Sequence, residues 1–186
     1  MSSSASSPPG VRTALDYWHR AEVWVATIAF GGIAVILVYD VLVREAVIPL
    51  LTAVGFEARH LVLFGSQKIA LFLLMWGAFA GIGIATWVGA QLVPKVAFKA
   101  VPEAWNDRMN RIADLVTTLF LIGVTIVASI FVAESFQSGQ IASGGVRVQV
   151  WLVQLAIPVG FASAALRYLA FLIWPDLRPQ DGDSIE

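Results

Sequence analysis

The stretch that most constrains this chain covers residues 69–93, IALFLLMWGAFAGIGIATWVGAQLV, which contain no charged side chain. A helix needs about 20 consecutive apolar residues to cross the hydrocarbon core of a bilayer, so this stretch can cross with some tilt. Hydrocarbon offers no partner for open backbone N–H and C=O groups, whereas a helix satisfies them internally. The stretch therefore predicts a membrane-spanning helix.

The composition of the whole chain agrees with a protein that lies mostly in lipid. Of its 186 residues, 58% are hydrophobic and 13% are charged, whereas soluble domains carry roughly 25% charged residues. The net charge of −1 gives no broad basic field, so no nucleic-acid partner is expected. The sequence has no cysteine, which excludes disulfides, thiolate nucleophiles and cysteine-ligated metal sites.

Four segments are long and apolar enough to cross, and they predict an all-α integral membrane protein with four transmembrane helices. Their expected bounds are about 22–43, 69–93, 112–133 and 148–174. They form a membrane domain over 20–175, between a disordered cytoplasmic tail at 1–19 and a second cytoplasmic tail at 176–186. The two halves share no evident repeat, which argues against an inverted-repeat transporter core.

The basic residues predict which side of the membrane each connection faces, because Lys and Arg are enriched on the cytoplasmic side. With the N-terminus inside, eight of them fall on that side, if Arg167 reaches the surface by snorkelling: Arg12, Arg20, Lys95, Lys99, Arg108, Arg111, Arg167 and Arg178. Four fall on the other side: Arg44, Arg59, Lys68 and Arg147. Both termini are therefore expected in the cytoplasm.

Two connections are expected to lie along the membrane surface. Residues 94–111 have Pro102 where a short helix would begin, and they predict an amphipathic cytoplasmic helix that leads into the third span. Its anchoring residues are Lys95, Lys99, Trp105, Arg108 and Arg111. The connection over 44–68 mixes apolar and charged residues, and we expect it to lie along the outer surface, in part as a helix.

Small residues recur every fourth position on two of the predicted helices, and this spacing lets another helix approach closely. The second span has Gly77, Gly81, Ala85 and Gly89, and the fourth has Ala156, Gly160 and Ala164. Either set can serve packing inside the chain or contact with another subunit. Because the chain has little polar machinery of its own, we favour a partner subunit.

Three charged residues near or inside the spans are candidates for function. Asp40 precedes Arg44 by four residues, and an ion pair along the helix is favoured over a coupling-ion ligand. Asp114 lies one turn inside the third span, where a capping role or an interfacial ion pair is expected. The deepest cation, Arg167, either contacts an anionic substrate or snorkels to the surface.

Enzymatic and cofactor chemistry find little support in the sequence. Axial haem ligation needs His or Met inside the helices, but His60 lies outside the spans and His19 precedes the first one. Neither histidine has a credible nucleophile within reach, and no phosphate-binding glycine loop is present. We predict no catalytic residue, no metal site and no cofactor.

Several short motifs, taken in order, resemble one family of membrane proteins. They are Gly65-Ser66-Gln67, Trp76-Gly77-Ala78-Phe79 with Gly81 and Gly83, Gly89-Ala90-Gln91-Leu92-Val93-Pro94, Arg111-Ile112-Ala113-Asp114 and Ile157-Pro158-Val159-Gly160. Their order, their spacing and the four-span layout resemble the small membrane subunit of tripartite ATP-independent periplasmic (TRAP) transporters. The likeness extends from about Arg20 to Trp174.

This resemblance implies a role in a bacterial inner-membrane complex. The large membrane subunit of such transporters carries the sodium sites and the solute route, and a periplasmic solute-binding protein delivers the solute transiently. The small subunit is a scaffold in that picture, and the solutes are organic acids such as dicarboxylates, keto acids and sugar acids. The chain departs from the family at Lys68, where many relatives are acidic, and at Gln91, where many have His. The alternative is a self-contained, homo-oligomeric small transporter or channel.

Overall fold

Helices make up almost all of the regular structure in the computed structural model, which describes residues 7–56, 61–89, 106–142 and 146–178, with the backbone alone for 106–110. They are α1 (Pro9–Leu42), α2 (Ile48–Ala53), α3 (Ser66–Val88), α4 (Asn106–Gln137), α5 (Val150–Gln154) and α6 (Ala156–Ile173). A π-helical turn, Val43–Val47, joins α1 to α2, and a 3₁₀ turn, Pro175–Leu177, follows α6.

Four helical units are long and apolar enough to cross a membrane, which confirms the predicted all-α fold with four spans. They cover Pro9–Ala53, Ser66–Val88, Arg111–Gln137 and Val150–Ile173. The predicted cytoplasmic surface helix over 94–111 falls largely outside the described residues. From Asn106 onward the chain is helical and runs without interruption into the third span.

The first span is longer at both ends than the sequence indicated. The segment expected to be a disordered tail is helical from Pro9, and proline suits the first turn of a helix because its missing N–H would have no partner there. Val11 and Leu15 of this added part pack against a buried apolar cluster that contains Phe171 and Leu177. This packing gives the early turns of α1 a tertiary contact that the sequence did not reveal.

At its other end, α1 continues through the π-helical turn into α2. The N–H of Ile48 donates to the carbonyl of Val43, five residues back. Pro49 follows, and it has no N–H to donate to the carbonyl of Glu45. Prolines and π-turns are both common causes of helix kinks. The connection over 44–68 thus begins as an extension of the first span and is helical as far as Ala53.

Two other spans end or break where the backbone requires it. Gly89 adopts the left-handed conformation, with φ of 71°, and its N–H donates to the carbonyl of Ala85. This cap ends α3 at Val88, five residues before the predicted limit of 93. In the fourth span, α5 and α6 are separated at Leu155. Pro158 cannot donate to the carbonyl of Gln154, so the helical hydrogen-bond ladder is incomplete at that point.

The spans are arranged as a row. α1 packs along α3, α3 packs along α6, and α6 packs along α4, while no comparable packing joins α1 to α4 in the described part of the chain. The interior position of α6 agrees with its burial, since 50% of the most apolar stretch of the fourth span is buried, against 11% for the first. Lipid tails are as apolar as the side chains, so no hydrophobic force closes such a row into a ring.

Small residues set the close approach between neighbouring spans. A Cβ on Gly77 would lie 3.1 Å from the Phe30 ring of α1, and one on Gly160 would lie 2.6 Å from the backbone oxygen of Phe79 in α3. Ala156 and Ala164, on the same side of the fourth span as Gly160, are 1% and 0% exposed. This second ladder therefore packs inside the chain, along the contact between α6 and α3.

We expect that Gly160→Ala destabilises the isolated protein. The added methyl group would meet the backbone of Phe79, which cannot move aside cheaply, and overpacking of this kind costs about 1–3 kcal/mol. Gly123→Ala is the matched control, because a Cβ on Gly123 meets no atom within 4 Å. Thermal unfolding in detergent should show a lower melting temperature for Gly160→Ala alone. Equal melting temperatures for both variants would contradict the packing described here.

Candidate functional site: a buried ion-pair cluster and the open faces of the row

A buried ion pair joins the first and fourth spans near the end of the protein that carries the start of α1 and the end of α6, here called the terminal end. Arg167 Nη2 lies 2.6 Å from Glu22 Oε2. Arg167 is 0% exposed and Glu22 is 8% exposed. A charge inside a membrane protein is expensive unless it is paired, and each of these two charges compensates the other.

Hydrogen bonds complete the surroundings of the Glu22 carboxylate. The Ser163 hydroxyl donates to Glu22 Oε1, and Arg167 Nη1 donates to Ser163 Oγ at 2.8 Å. Trp18 Nε1 lies 2.9 Å from Ser163 Oγ and 3.1 Å from Glu22 Oε1, so this indole N–H donates to both. Buried charges are stable when their remaining hydrogen-bonding capacity is used in this way.

Aromatic rings cover the other side of the arginine. The guanidinium carbon of Arg167 lies 5.8 Å from the centre of the Trp87 ring, within the range of a cation–π interaction. The ring of His19 stacks on the same indole at 5.7 Å. His19 Nδ1 and Arg167 Nε are buried and have no hydrogen-bond partner among the described atoms.

Gly83 provides the space in which the ion pair forms. A Cβ at this position would overlap Glu22 Oε1 and would lie 2.6 Å from Arg167 Nη1. The two charged side chains therefore meet directly over the backbone of α3. We call the seven residues that make up this unit the Glu22 cluster: Trp18, His19, Glu22, Gly83, Trp87, Ser163 and Arg167.

Sequence reasoning did not find this cluster. Snorkelling or substrate contact was expected for Arg167, but its side chain is buried and paired within the chain. Glu22 was taken only as the boundary of the first span. The available signal was that two opposite charges, Glu22 and Arg167, both lie in the halves of their spans that are nearer the chain termini. Helix contacts, which the sequence does not give, decide whether two such charges face each other.

Asp114 forms a second ion pair at the terminal end. Its Oδ1 lies 2.6 Å from Arg178 Nη2, and Asp114 is 4% exposed. Arg111, three residues before Asp114 in the chain, is exposed at the start of the third span. The residue that pairs with Asp114 comes instead from the chain that follows α6, which ties α4 to the C-terminal turn.

The first described residues also contact the C-terminal turn. Ser7 donates to Asp176 Oδ2 from its backbone N–H at 3.1 Å and from its hydroxyl at 2.7 Å. These two hydrogen bonds lower the pKa of Asp176 below its usual value. The side-chain hydrogen bonds that join the first and fourth spans through Glu22 and Ser163 therefore lie at the same end as the contact of Asp114 with Arg178, which follows the last span.

At the opposite end of the first span, Asp40 and Arg44 form an ion pair along one helix. Arg44 Nη2 lies 3.1 Å from Asp40 Oδ2. The Arg44 side chain is 52% exposed and that of Asp40 is 7% exposed, so the carboxylate faces the interior of the chain. Asp40 Oδ1 is buried without a hydrogen-bond partner among the described atoms.

The four small residues of the ladder on α3 do not share one environment. Gly77 contacts α1, whereas a Cβ on Gly81 would meet no atom within 4 Å. Ala85 is half-buried, and Gly89 is the exposed cap of α3. Of the predicted anchoring residues, Lys95, Lys99 and Trp105 lie outside the described residues, and Arg108 is described by its backbone alone.

Large apolar side chains are exposed on the outer sides of α1 and α4. A shallow groove of about 630 Å³ runs along α4, and its floor contains Gly123, beside which a side chain would meet open space. The groove is lined by Leu119, Phe120, Gly123, Val124, Val127, Ala128, Phe131 and Ile157. These surfaces suit lipid or the apolar helix of another protein.

The described side chains offer no obvious metal centre. In residues 7–56, 61–89, 111–142 and 146–178, no group of three or more His, Asp or Glu side chains could hold a metal ion. The polar groups of the Glu22 cluster instead bind one another between the first and fourth spans. The chemistry of the Glu22 cluster is therefore that of a fixed contact between helices.

We expect that Gly83→Ala lowers the free energy of unfolding by about 3 kcal/mol. The methyl group would force apart the buried ion pair, which adds to the ordinary cost of overpacking. Gly81→Ala, two residues away on the same helix, is the control, and its added Cβ has open space. Unfolding in mixed micelles by titration with a denaturing detergent measures the difference. Gly83→Ala as stable as Gly81→Ala would show that the two charges do not meet there.

Comparison with known proteins places the chain in a transporter family. A family model described as "Tripartite ATP-independent periplasmic transporters, DctQ component" matches residues 33–175, which is most of the chain and all four spans in whole or in part. No individual curated protein matches the chain closely enough to count as a relative. The chain therefore belongs to the DctQ family, the small membrane components of tripartite ATP-independent periplasmic transporters, and is a multi-pass membrane protein of a non-enzymatic transport family.

Proposed function

We propose that this chain is the scaffold subunit of a TRAP transporter, and that it binds the large membrane subunit during sodium-coupled uptake of an organic acid. The observation that carries the proposal is that the buried charges in the spans pair within the chain, while the outer surfaces of the row are apolar. A protein with this distribution of charges has an apolar surface that another membrane protein can bind. Its described residues form no path lined by charged side chains along which a solute could cross.

The rival function, a self-contained transporter or channel, depends on Asp40 or Asp114. Both carboxylates are buried, and each has an arginine partner in the same chain. Neither projects from an outer surface of the row, where an oligomer built from copies of this chain would place a shared pathway. This distribution supports the scaffold in preference to the rival.

The proposed setting is the bacterial inner membrane, with both termini in the cytoplasm. Arg167 no longer counts among the loop charges, since it is buried in the Glu22 cluster. The remaining basic residues are seven on the side of the termini and four on the other. The excess still supports the same orientation. A periplasmic solute-binding protein would then approach the end of the row that holds Asp40 and Arg44.

We propose the open side of α3 as the contact for the large subunit. Gly81 lies there with Ala78 and Ala85, on the same face of α3 as the exposed side chains of Leu71 and Leu74, which are about two to three turns earlier in the helix. Small residues flanked by larger apolar ones let a second transmembrane helix approach closely without an unfilled gap. The sodium sites, the solute route and the choice of organic acid would belong to the other components.

Gly81→Leu should abolish association with the large subunit, because the new side chain would occupy the space needed by the partner helix. Its insertion and melting temperature should match those of the unmodified chain, since a side chain at Gly81 has open space within the subunit. Gly31→Leu on α1 and Gly123→Leu on α4 are matched controls, because both positions are equally open. Co-purification of the co-expressed large subunit through a tag on this chain measures the effect.

If Gly81→Leu co-purifies normally and one of the controls does not, the contact lies on a different span. If none of the variants affects association, the small-residue surfaces are not the interface. Reconstitution of the purified chain alone into liposomes tests the function itself. We expect no uptake of radiolabelled dicarboxylate or sodium, and flux without the large subunit would establish the rival.

A further inference from the structure

We propose that the Glu22 cluster positions α1 relative to α6 and thereby sets the shape of the opposite side of the row, where the partner helix is received. This inference rests on the proposed function and adds the positioning residues to it. Glu22 and Arg167 are the positioning residues, and Gly83 gives them the room to meet. Three observations lead to this assignment.

The first observation is that the ion pair connects two spans whose backbones are not close neighbours. In the described part of the chain, α3 packs against both α1 and α6, while the backbones of α1 and α6 stay apart. The side chains of Glu22 and Arg167 nevertheless meet at 2.6 Å, above Gly83 of α3. The pair thus fixes the spacing of these two neighbours of α3 at this depth, because the apolar contacts of Val11 and Leu15 with the cluster that contains Phe171 lie two turns or more away along α1.

The second observation concerns the other contacts of α1. Along α3 they are van der Waals contacts, such as those of Phe30 with Gly77 and of Gly32 with Leu73. In lipid, such contacts resist separation but fix orientation weakly, because the surrounding acyl chains pack almost as well. Further tertiary contacts lie at the first turns of α1, where Val11 and Leu15 meet the C-terminal apolar cluster, and near its other end, where the Tyr39 hydroxyl lies 3.5 Å from the carbonyl oxygen of Leu61. The ion pair is the strongly directional contact within the apolar part of the span.

The third observation is the relation of the cluster to the open side of α3. Gly81 and Gly83 are two residues apart on one helix, so they point about 160° away from each other. The ion pair therefore crosses one side of the row while Gly81 lies on the other. A contact that holds α1 and α6 together across one side limits how far they can turn toward the other. This limit on the rotation of α1 and α6 sets how wide the surface around Gly81 is between them.

A double variant, Glu22→Met with Arg167→Met, separates positioning from simple stability. Removing one charge leaves the other buried and unpaired, which destabilises any protein, whereas replacing both with apolar side chains of similar length avoids that cost. We expect the double variant to insert and to melt like the unmodified chain. It should nevertheless lose at least tenfold in association with the co-expressed large subunit. Thr125→Val is the control, since the Thr125 hydroxyl bonds only to the carbonyl of Leu121 in its own helix.

Spin-label distances in the isolated subunit provide the readout that stability alone would not change. The chain has no cysteine, so labels can be attached at introduced cysteines without other changes. One pair, at Ile28 and Leu166, reports the distance from α1 to α6, and a second pair, at Leu74 and Leu166, reports the distance from α3 to α6. All three positions are exposed. In the double variant, the first distance distribution should become at least twofold broader, and the second should stay unchanged.

Each outcome decides between the claims. Broadening of the first distance together with weaker association supports the positioning role. Unchanged distances, or unchanged association despite broader distances, overturn it while the scaffold function stands. Broadening of both distances shows a general loss of structure and also overturns it. If the unmodified chain does not associate with the large subunit, the proposed function fails, and the positioning role fails with it.

Discussion

The pairing of charges inside a lipid-soluble chain is the constraint on which this structure depends. Hydrocarbon does not solvate a carboxylate or a guanidinium, so each such group in a span needs a partner within the protein. Glu22 and Arg167 meet this requirement by forming an ion pair between two helices. Gly83 leaves room for the pair because it has no Cβ. The same constraint brings Asp114 to Arg178, from a segment beyond the last span. Because these charges are satisfied internally, the outside of the row can remain apolar.

The row itself reflects the weakness of other forces between helices in lipid. Neighbouring spans approach where small residues permit it, at Gly77 between α1 and α3 and at Gly160 between α3 and α6. Nothing comparable draws α1 toward α4 in the described part of the chain. The resulting shape exposes more of its helices than a closed bundle of equal size would. Such a shape is suited to a member of the DctQ family, whose role depends on contact with other components of the transporter.

The sequence predicted the features that depend on local rules. The number and type of spans follow from apolar length, and the Asp40–Arg44 contact follows from a spacing of four residues on a helix. The end of α3 at Gly89 and the longer first span needed conformational and tertiary detail that apolar length does not contain. The Glu22–Arg167 contact joins residues 145 positions apart, and its prediction would require the register of α1 and α6 relative to α3. Gly81 and Gly83 show the same limit, because two glycines in one motif have opposite surroundings.

The cross-span polar contacts of the described residues are gathered at the terminal end, and this has a mechanical consequence. Lateral pressure in a bilayer acts on the whole length of a helix, but the response depends on where the helices are fastened. Here the leaflet that surrounds the terminal end meets spans fixed by ion pairs, and the other leaflet meets spans held by surface contact alone. Bilayer thinning or a change in lipid composition would therefore splay the helices in one leaflet only. The spans would separate at the end that holds Asp40 and Arg44, while their spacing at the terminal end would stay the same.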